Sequence, residues 1–403
     1  SVLTGTAAYL RPGTNTVAVQ VINATIGSSD LSIDVELKTP PPSNEPGPPT
    51  PGAPNSVFTL RPPPQVRQVK HVPQQPRSGE AVTISAKATD PDGGAEVKLA
   101  YQTVDPGAYI RQDDPDYATG WIELPMLDDG LGGDAIARDG IYSAELPGEI
   151  QLHRRLVRYR IIAIDAGGSL VQTPLIDDGQ PNFAYFCYDG VPSWTGADRP
   201  GVSAPQEFPR ELMDGSLPVY HLIADSTDVT NSQYSSGSDG VRMWGTLVYD
   251  GEVYDHIQFY NRGEASTYRS GKNKWRFHFN RARSFEARDN LGRRYGSGWR
   301  KMNFDACASP WAAVHRGMAG VEEAVSYRLY ELCGVPSPRT HYVHFRVVDD
   351  AVETDPGDQY EGDLWGLYQV IEQPNGSFLN DRGLPDGNVY KIQGGNGTKK
   401  EQG

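Results

Sequence analysis

Cysteine is scarce: the 403 residues hold only Cys187, Cys307 and Cys333, far apart and without a CxxC pair. An odd, scattered set excludes a disulfide scaffold and a zinc knuckle, and burial as small hydrophobes is the expectation for all three. No apolar run approaches the roughly 20 residues of a membrane-spanning helix, so no span is expected. Lys and Arg are outnumbered, 37 against 51 Asp and Glu, for a formal net charge of −14. That balance excludes a general nucleic-acid binder, whose footprint is a basic domain. HExxH and GxSxG are missing, so zinc-protease and serine-hydrolase readings have no motif behind them. The glycine-rich run Gly394–Lys399 lacks P-loop spacing, and Gly237-Ser238-Asp239-Gly240 is only a weak phosphate-loop candidate.

Glycine (44) and proline (32) are plentiful. That combination favours short strands and many turns over a helical bundle, and the length suits two to four domains. The chain opens without Met inside a strand pattern, so a fragment is expected. Residues 1–38 alternate apolar and polar side chains as two strands, the end of a larger β-sandwich. Residues 39–64 are a Pro-rich, extended linker. Residues 65–190 carry strand candidates at Val82–Ala86, Val97–Thr103, Trp121–Leu124, Ile141–Ala144, Val157–Ile164 and Phe183–Tyr188. Short strands so spaced predict a second sandwich. Within it Asp128, Asp129, Asp134 and Asp139 crowd a glycine loop; Ca²⁺ binding and ordinary Asp-Gly turns are both open readings. Residues 191–215 form a second loose segment, rich in Pro, Gly and Ser.

From 216 to 403 strands mix with one long helical pattern, an α+β composition. Strands are predicted at Leu217–Ile223, Thr246–Tyr249, Tyr254–Tyr260, His341–Val348, Gly366–Gln373 and Val389–Ile392. A helix is predicted from about Trp311 to Leu332, where Val314, Met318, Val321, Val325, Leu329 and Leu332 recur at helical spacing, ended by Gly334 and Pro336. The window Asn261–Lys301 holds twelve Lys/Arg against three Asp/Glu, a balance of +9, so the remainder of the chain sums to −23. A basic island in an acidic chain points to an anionic ligand. Lys272 through Phe279 alternate as a strand with aromatics on one face and basic groups on the other. A solvated face paired with acidic neighbours, or adhesion to an acidic surface polymer, would also explain it. A strand Lys that grips phosphates and a helix Glu that positions it are what nucleotide kinase-type sites use; Lys272 or Lys274, with Glu322 or Glu323, fit those roles.

Four stretches in order resemble the kinase family of spore-coat protein H (CotH). They are Arg262-Gly263 with Lys272–Phe279; Glu323–Val347; Gly362–Leu379, where Gly366, Tyr368 and Glu372 match a G-x-Y-x-x-x-E segment; and Val389-Tyr390-Lys391. The resemblance implies an atypical protein-kinase-like fold, truncated at its C-terminal end, that uses ATP with Mg²⁺ or Mn²⁺ to phosphorylate Ser or Thr of a protein. It implies Lys272 as the phosphate-gripping lysine with Lys274 as rival, Glu323 as the helix carboxylate, Arg262 among the phosphate-binding groups, Glu372 beside the adenine, and Lys391 opening a second lobe. No Asp follows Lys391, so metal ligands and the catalytic base are expected beyond the fragment. The preceding modules resemble an immunoglobulin or fibronectin III-like sandwich and the tail of a galactose-binding-like jelly roll. The expected whole is a multidomain secreted or envelope protein. The alternative is a noncatalytic coat or surface protein whose sandwiches bind cell-surface carbohydrate.

Overall fold

The computed structural model describes residues 62–402 apart from 92, 216, 235–240, 263–271, 308–319, 386, 388 and 394–397. The strands expected in 1–38 and the linker up to residue 61 therefore lie outside the described residues. One compact unit runs from Thr59 to Leu384; a second joins Ser1–Phe58 with Pro385–Gly403. The described part of the second unit is an antiparallel hairpin, which carries the last two strands of the chain, Val389–Gln393 and Thr398–Gln402.

The large unit begins with two facing β-sheets. One joins β1 (Gln65–Val72), β2 (Val82–Thr89) and β5 (Ile141–Leu146); the other runs β4 (Ile122–Pro125), β3 (Glu96–Val104), β6 (Leu156–Ile164), β7 (Leu170–Thr173), with β8 (Phe183–Phe186) also on β6. Alternation sends Val82, Ile84 and Ala86 inward against Leu99, Tyr101, Tyr159 and Ile161, a sandwich core as predicted. The expectation missed β1 and β7, both of them partly exposed strands with weak apolar alternation.

Strand β6 is buried on both faces, because a second body covers the side that should meet water. That body is a closed seven-stranded barrel in the order β11 (Val219–Ala224), β12 (Met243–Tyr249), β13 (Glu252–Asn261), β14 (Trp275–His278), β15 (Lys301–Asp305), β17 (Leu364–Glu372), β16 (Thr340–Val348). Only β11 and β16 pair in parallel, and their pairing closes the ring. Closure leaves no free edge. Phe259, Trp275, Phe277, Phe304, Phe345 and Tyr368 fill the barrel. The hairpin between β12 and β13 turns on Asp250-Gly251, both at positive φ, as a two-residue loop requires.

Sandwich and barrel meet through Val104, Leu156 and Phe186 against Ile223, Val248, Val253 and Val348. At the centre sits an ion pair that neither side exposes. Arg158 Nε and Nη2 donate to the Asp255 carboxylate at 2.7 and 3.1 Å, and both residues are 0% exposed. Asp255 also accepts from Thr246 Oγ1 at 2.5 Å and Asn182 Nδ2 at 2.9 Å. A β-bulge builds this anchor: the register slips between Gly245 and Leu247, setting Asp255 and His256 opposite Thr246, with His256 at φ +50°. Burial alone would raise the Asp255 carboxyl, but Arg158 and His256 hold it below the ordinary carboxylate range.

Three expectations change. Residues 191–215 are not a loose linker: they hold β9 (Trp194–Gly196) paired with β10 (Gln206–Phe208), and the helix Arg210–Gly215. The described part of the long helix is Val321–Leu332, entered through Gly320 at φ +69°; its upstream half lies outside the described residues. Its stripe Val321, Val325, Leu329 and Leu332 is 49–65% exposed where a core-facing side was expected. Of the cysteines only Cys187 is buried; Cys307 is intermediate and Cys333 exposed.

Acid should weaken this fold early. Burial, the main cause, lowers His256 to about 4 and His341 and His278 to about 3, and puts His221 well below its ordinary value; around His278 and His221 neighbouring cations add to it. Between about pH 6.5 and 4 these rings are neutral when folded and protonated when unfolded, so stability is lost as pH falls. Each fully titrating ring costs about 1.4 kcal/mol per pH unit. The urea midpoint is expected to drop steeply from pH 7 to pH 5; a flat profile would show that the rings are protonated in the fold.

Candidate functional site

Lys272 does not belong to a strand, contrary to the alternation that placed it there: β14 begins at Trp275, and Lys272 lies in a bend before it. Its ammonium donates to the carbonyl of Leu367 and sits 4.1 Å from the centre of the Tyr368 ring. Tyr368 is in turn held by its hydroxyl, which donates to Asn273 O at 3.2 Å and accepts from Trp275 Nε1 at 3.3 Å. Gly366 has φ +92°, which L side chains rarely adopt, beside a register slip in the β16–β17 ladder. A Cβ built there would stand 3.6 Å from Lys272 Nζ. Tyr368 of the G-x-Y-x-x-x-E segment thus holds Lys272 by its ring, and Gly366 lies beside the ammonium.

Around this lysine lie Lys274, Arg262 and one carboxylate the sequence reading missed. Asp305 pairs with Lys274 and accepts the Cys307 amide at 3.1 Å. Arg262 extends the β13–β14 ladder, its amide donating to Lys274 O at 3.1 Å. Burial lowers Lys272 to about 8, against the pull of Cys307 and Asp305. Glu323 is not among the charges acting on Lys272. It accepts from Tyr327 OH at 3.0 Å and acts on Arg262, whose own value burial and Arg276 push down. The expected lysine–Glu323 pairing is therefore replaced by one centred on Asp305, and Glu322 lies in the same first turn of the helix. Asp305 could have been read from Lys301–Asp305, where Met302 and Phe304 alternate with Asn303 and Asp305.

Beside Asp305 in the ladder stands Gln369, 0% exposed, whose amide oxygen and nitrogen both lack a partner among the described residues. Tyr342, paired in register with Gln369, has a buried hydroxyl in the same condition. Unpaired buried polar atoms are costly and mark a place where another group can bind. Residues 262–403 match the family model described as CotH kinase protein. Lys272, Asp305, Glu323, Gly366 and Tyr368 all fall inside the matched residues, whereas β11, β12 and β13 precede them. A search of curated proteins found no match. A solved structure, the cycloalternan-degrading enzyme from Trueperella pyogenes in complex with cycloalternan, is similar at 13% identity over 51% of this chain. The chain spans 30% of that protein's length, and the TM-score of 0.17 is too low to bear on fold or chemistry.

Two further expected residues are Glu372 and Lys391. Glu372, at the far end of β17, accepts from Arg382 Nη2 at 2.7 Å and from the Arg339 amide at 3.0 Å. That closed network ties β17 to the helix Gly376–Asp381, so Glu372 is engaged structurally. Lys391 lies on the hairpin strand Val389–Gln393, in the other unit. In the sandwich, oxygens of Asp128, Asp134 and Asp139 come within 4.8 Å of one another, without Asp129. These carboxylates already accept backbone amides, among them Gly130 N at 2.6 Å, Gly140 N at 2.9 Å and Ile141 N at 2.8 Å, which accounts for the loop without an ion. Among the described residues no helix is long and apolar enough to cross a membrane. A cavity of about 540 Å³ between sandwich and barrel, lined by Tyr188, Arg210, His221 and Tyr249, does not include the lysine cluster.

Proposed function

We propose that the barrel binds the phosphates of ATP at Lys272 and that the protein is a CotH-like kinase acting on Ser or Thr hydroxyls of a secreted or surface protein. The observation that carries this is the state of Lys272. Its ammonium is held by a carbonyl and a ring face, with no carboxylate directly on it among the described residues, so its charge is oriented toward an anion. Lys274 and Arg262 are the neighbouring cations on the β13–β14 ladder, and Asp305 fixes the direction of Lys274. This donor set, with the Gln369 amide that has no partner among the described residues, fits phosphate oxygens. ATP would supply the phosphoryl group, and Mg²⁺ or Mn²⁺ would neutralise part of its charge. The metal's carboxylates would come from outside this cluster, since Asp305 is committed to Lys274.

Binding is tested separately from transfer. ATP with Mg²⁺ is expected to raise the melting temperature of the chain. The gain should shrink between pH 7 and pH 9, because Lys272 loses its proton at about 8 and a neutral amine no longer attracts phosphate. No shift at saturating nucleotide would sink the proposal. A shift without transfer to any protein would favour the noncatalytic alternative.

A further inference from the structure

The outer face of β12–β15 carries a second cationic feature, separate from Lys272. His278 pairs in register with Lys301 on one side and Gln258 on the other. Arg276, two residues earlier on the same face, pairs with Asn303 and Tyr260. Arg242 reaches over Gln258, its Nη1 3.0 Å from the amide oxygen. Arg300 adjoins Lys301, and Arg242, Arg300 and Lys301 are all exposed.

Arg276 and Arg242 are held in place by neutral groups. Arg276 donates to Asn303 Oδ1 at 2.8 Å, Gln373 Oε1 at 3.2 Å and Tyr260 OH at 3.4 Å, all neutral acceptors. Among the described residues, none of Arg242, Arg276, Arg300 and Lys301 forms an ion pair with a carboxylate. That contrasts with Lys274, Arg283, Arg288 and Arg294 of the basic window Asn261–Lys301, each of which does. Burial and the mutual repulsion of the four depress both His278 and Lys301. In a chain of net charge −14, a group of cations without carboxylate partners among the described residues is a local exception that charge balance does not explain.

We propose that this face is a docking surface for an acidic segment of another polypeptide. The barrel is closed, so β-strand addition is excluded here and recognition runs through side chains, guanidinium to carboxylate. Cations on adjacent strands stand about 5 Å apart, a spacing that Asp and Glu side chains of an extended peptide can meet. A nucleic acid would be repelled by the remainder of the chain; of the aromatics on this face, Tyr260 is already engaged with His278 at 3.1 Å, and Trp244, paired in register with Gln258, is the one an unstacked base would meet. The inference concerns binding alone and holds whether or not ATP is used at Lys272.

Fluorescence anisotropy with a labelled Glu-Ser repeat peptide tests it, with a Gly-Ser repeat as control. The acidic peptide is expected to bind at low salt and to be released by high salt, and the control not to bind. The double variant Arg242→Glu/Lys301→Glu should weaken binding by about tenfold or more while keeping its melting temperature, since both side chains are exposed. Lys272→Met should leave peptide binding unchanged. Unaltered binding by the double variant would overturn the proposal, as would a single-stranded oligonucleotide that binds as tightly as the peptide and displaces it.

Discussion

Arg158→Ala is expected to destabilise the chain by about 3–5 kcal/mol, the range for removing one partner of a buried ion pair. A typical domain has about 5–15 kcal/mol in total, so part of the population should be unfolded at room temperature. The cause is the carboxylate left behind. Asp255 is 0% exposed and would keep its bonds to Thr246 and Asn182 while losing both guanidinium contacts. Arg158 Nη1 also donates to Ile110 O at 2.8 Å, so a second acceptor loses its donor. Urea denaturation measures the loss. One transition is expected for sandwich and barrel together, because the pair sits in their shared core. The companion variant Arg158→Met/Asp255→Leu should recover part of the stability, since it strands no charge. A loss under about 1 kcal/mol would place this pair with ordinary surface ion pairs, and two separate transitions would show that the bodies fold independently.

Lys272→Met should have the opposite signature: a large loss of function in a fold that is no weaker. The lowered value of about 8 means that the fold disfavours the charged amine, so the unfolded chain binds more protons between about pH 8 and the ordinary lysine value. Stability should therefore rise with pH across that window in the wild type, and this rise should vanish in the variant. A lost charged hydrogen bond of about 1.5–3 kcal/mol corresponds to roughly 10–100-fold weaker ATP binding. Where transfer is measured, the fall should be larger, about 10²–10³, if the ammonium bears on charge developing at the phosphate. Lys274→Met gives the contrast. It breaks a pair with Asp305 at a side chain 36% exposed, so its effect on nucleotide binding should be smaller. Equal effects of the two variants would remove Lys272 from its assigned role.

Much of the local structure was legible because its causes are local. Period-two alternation placed β2, β3, β6 and β16 to within a few residues, since each strand lays a continuous apolar row on a core. The same alternation sent Trp275 and Phe277 into the barrel, with Lys274 and Arg276 on the other face. It failed where tertiary contacts override local pattern. The residues 191–215 look loose by composition, yet fold into a short hairpin and a helix. The helix stripe from Val321 to Leu332 looks like a core face and is exposed.

By itself the sequence determined the alternating strands, the basic window and the order of segments that resemble the CotH family. Which charge meets which was decided only in three dimensions. Lys272 meets Tyr368 across 96 positions, and Arg158 meets Asp255 across 97, through strand register and a bulge that no local spacing records. A charged side chain in a sequence carries its valence but not its solvent. Burial made Arg158 structural, pairing with Asp305 restrained Lys274, and a ring and a carbonyl hold the Lys272 ammonium.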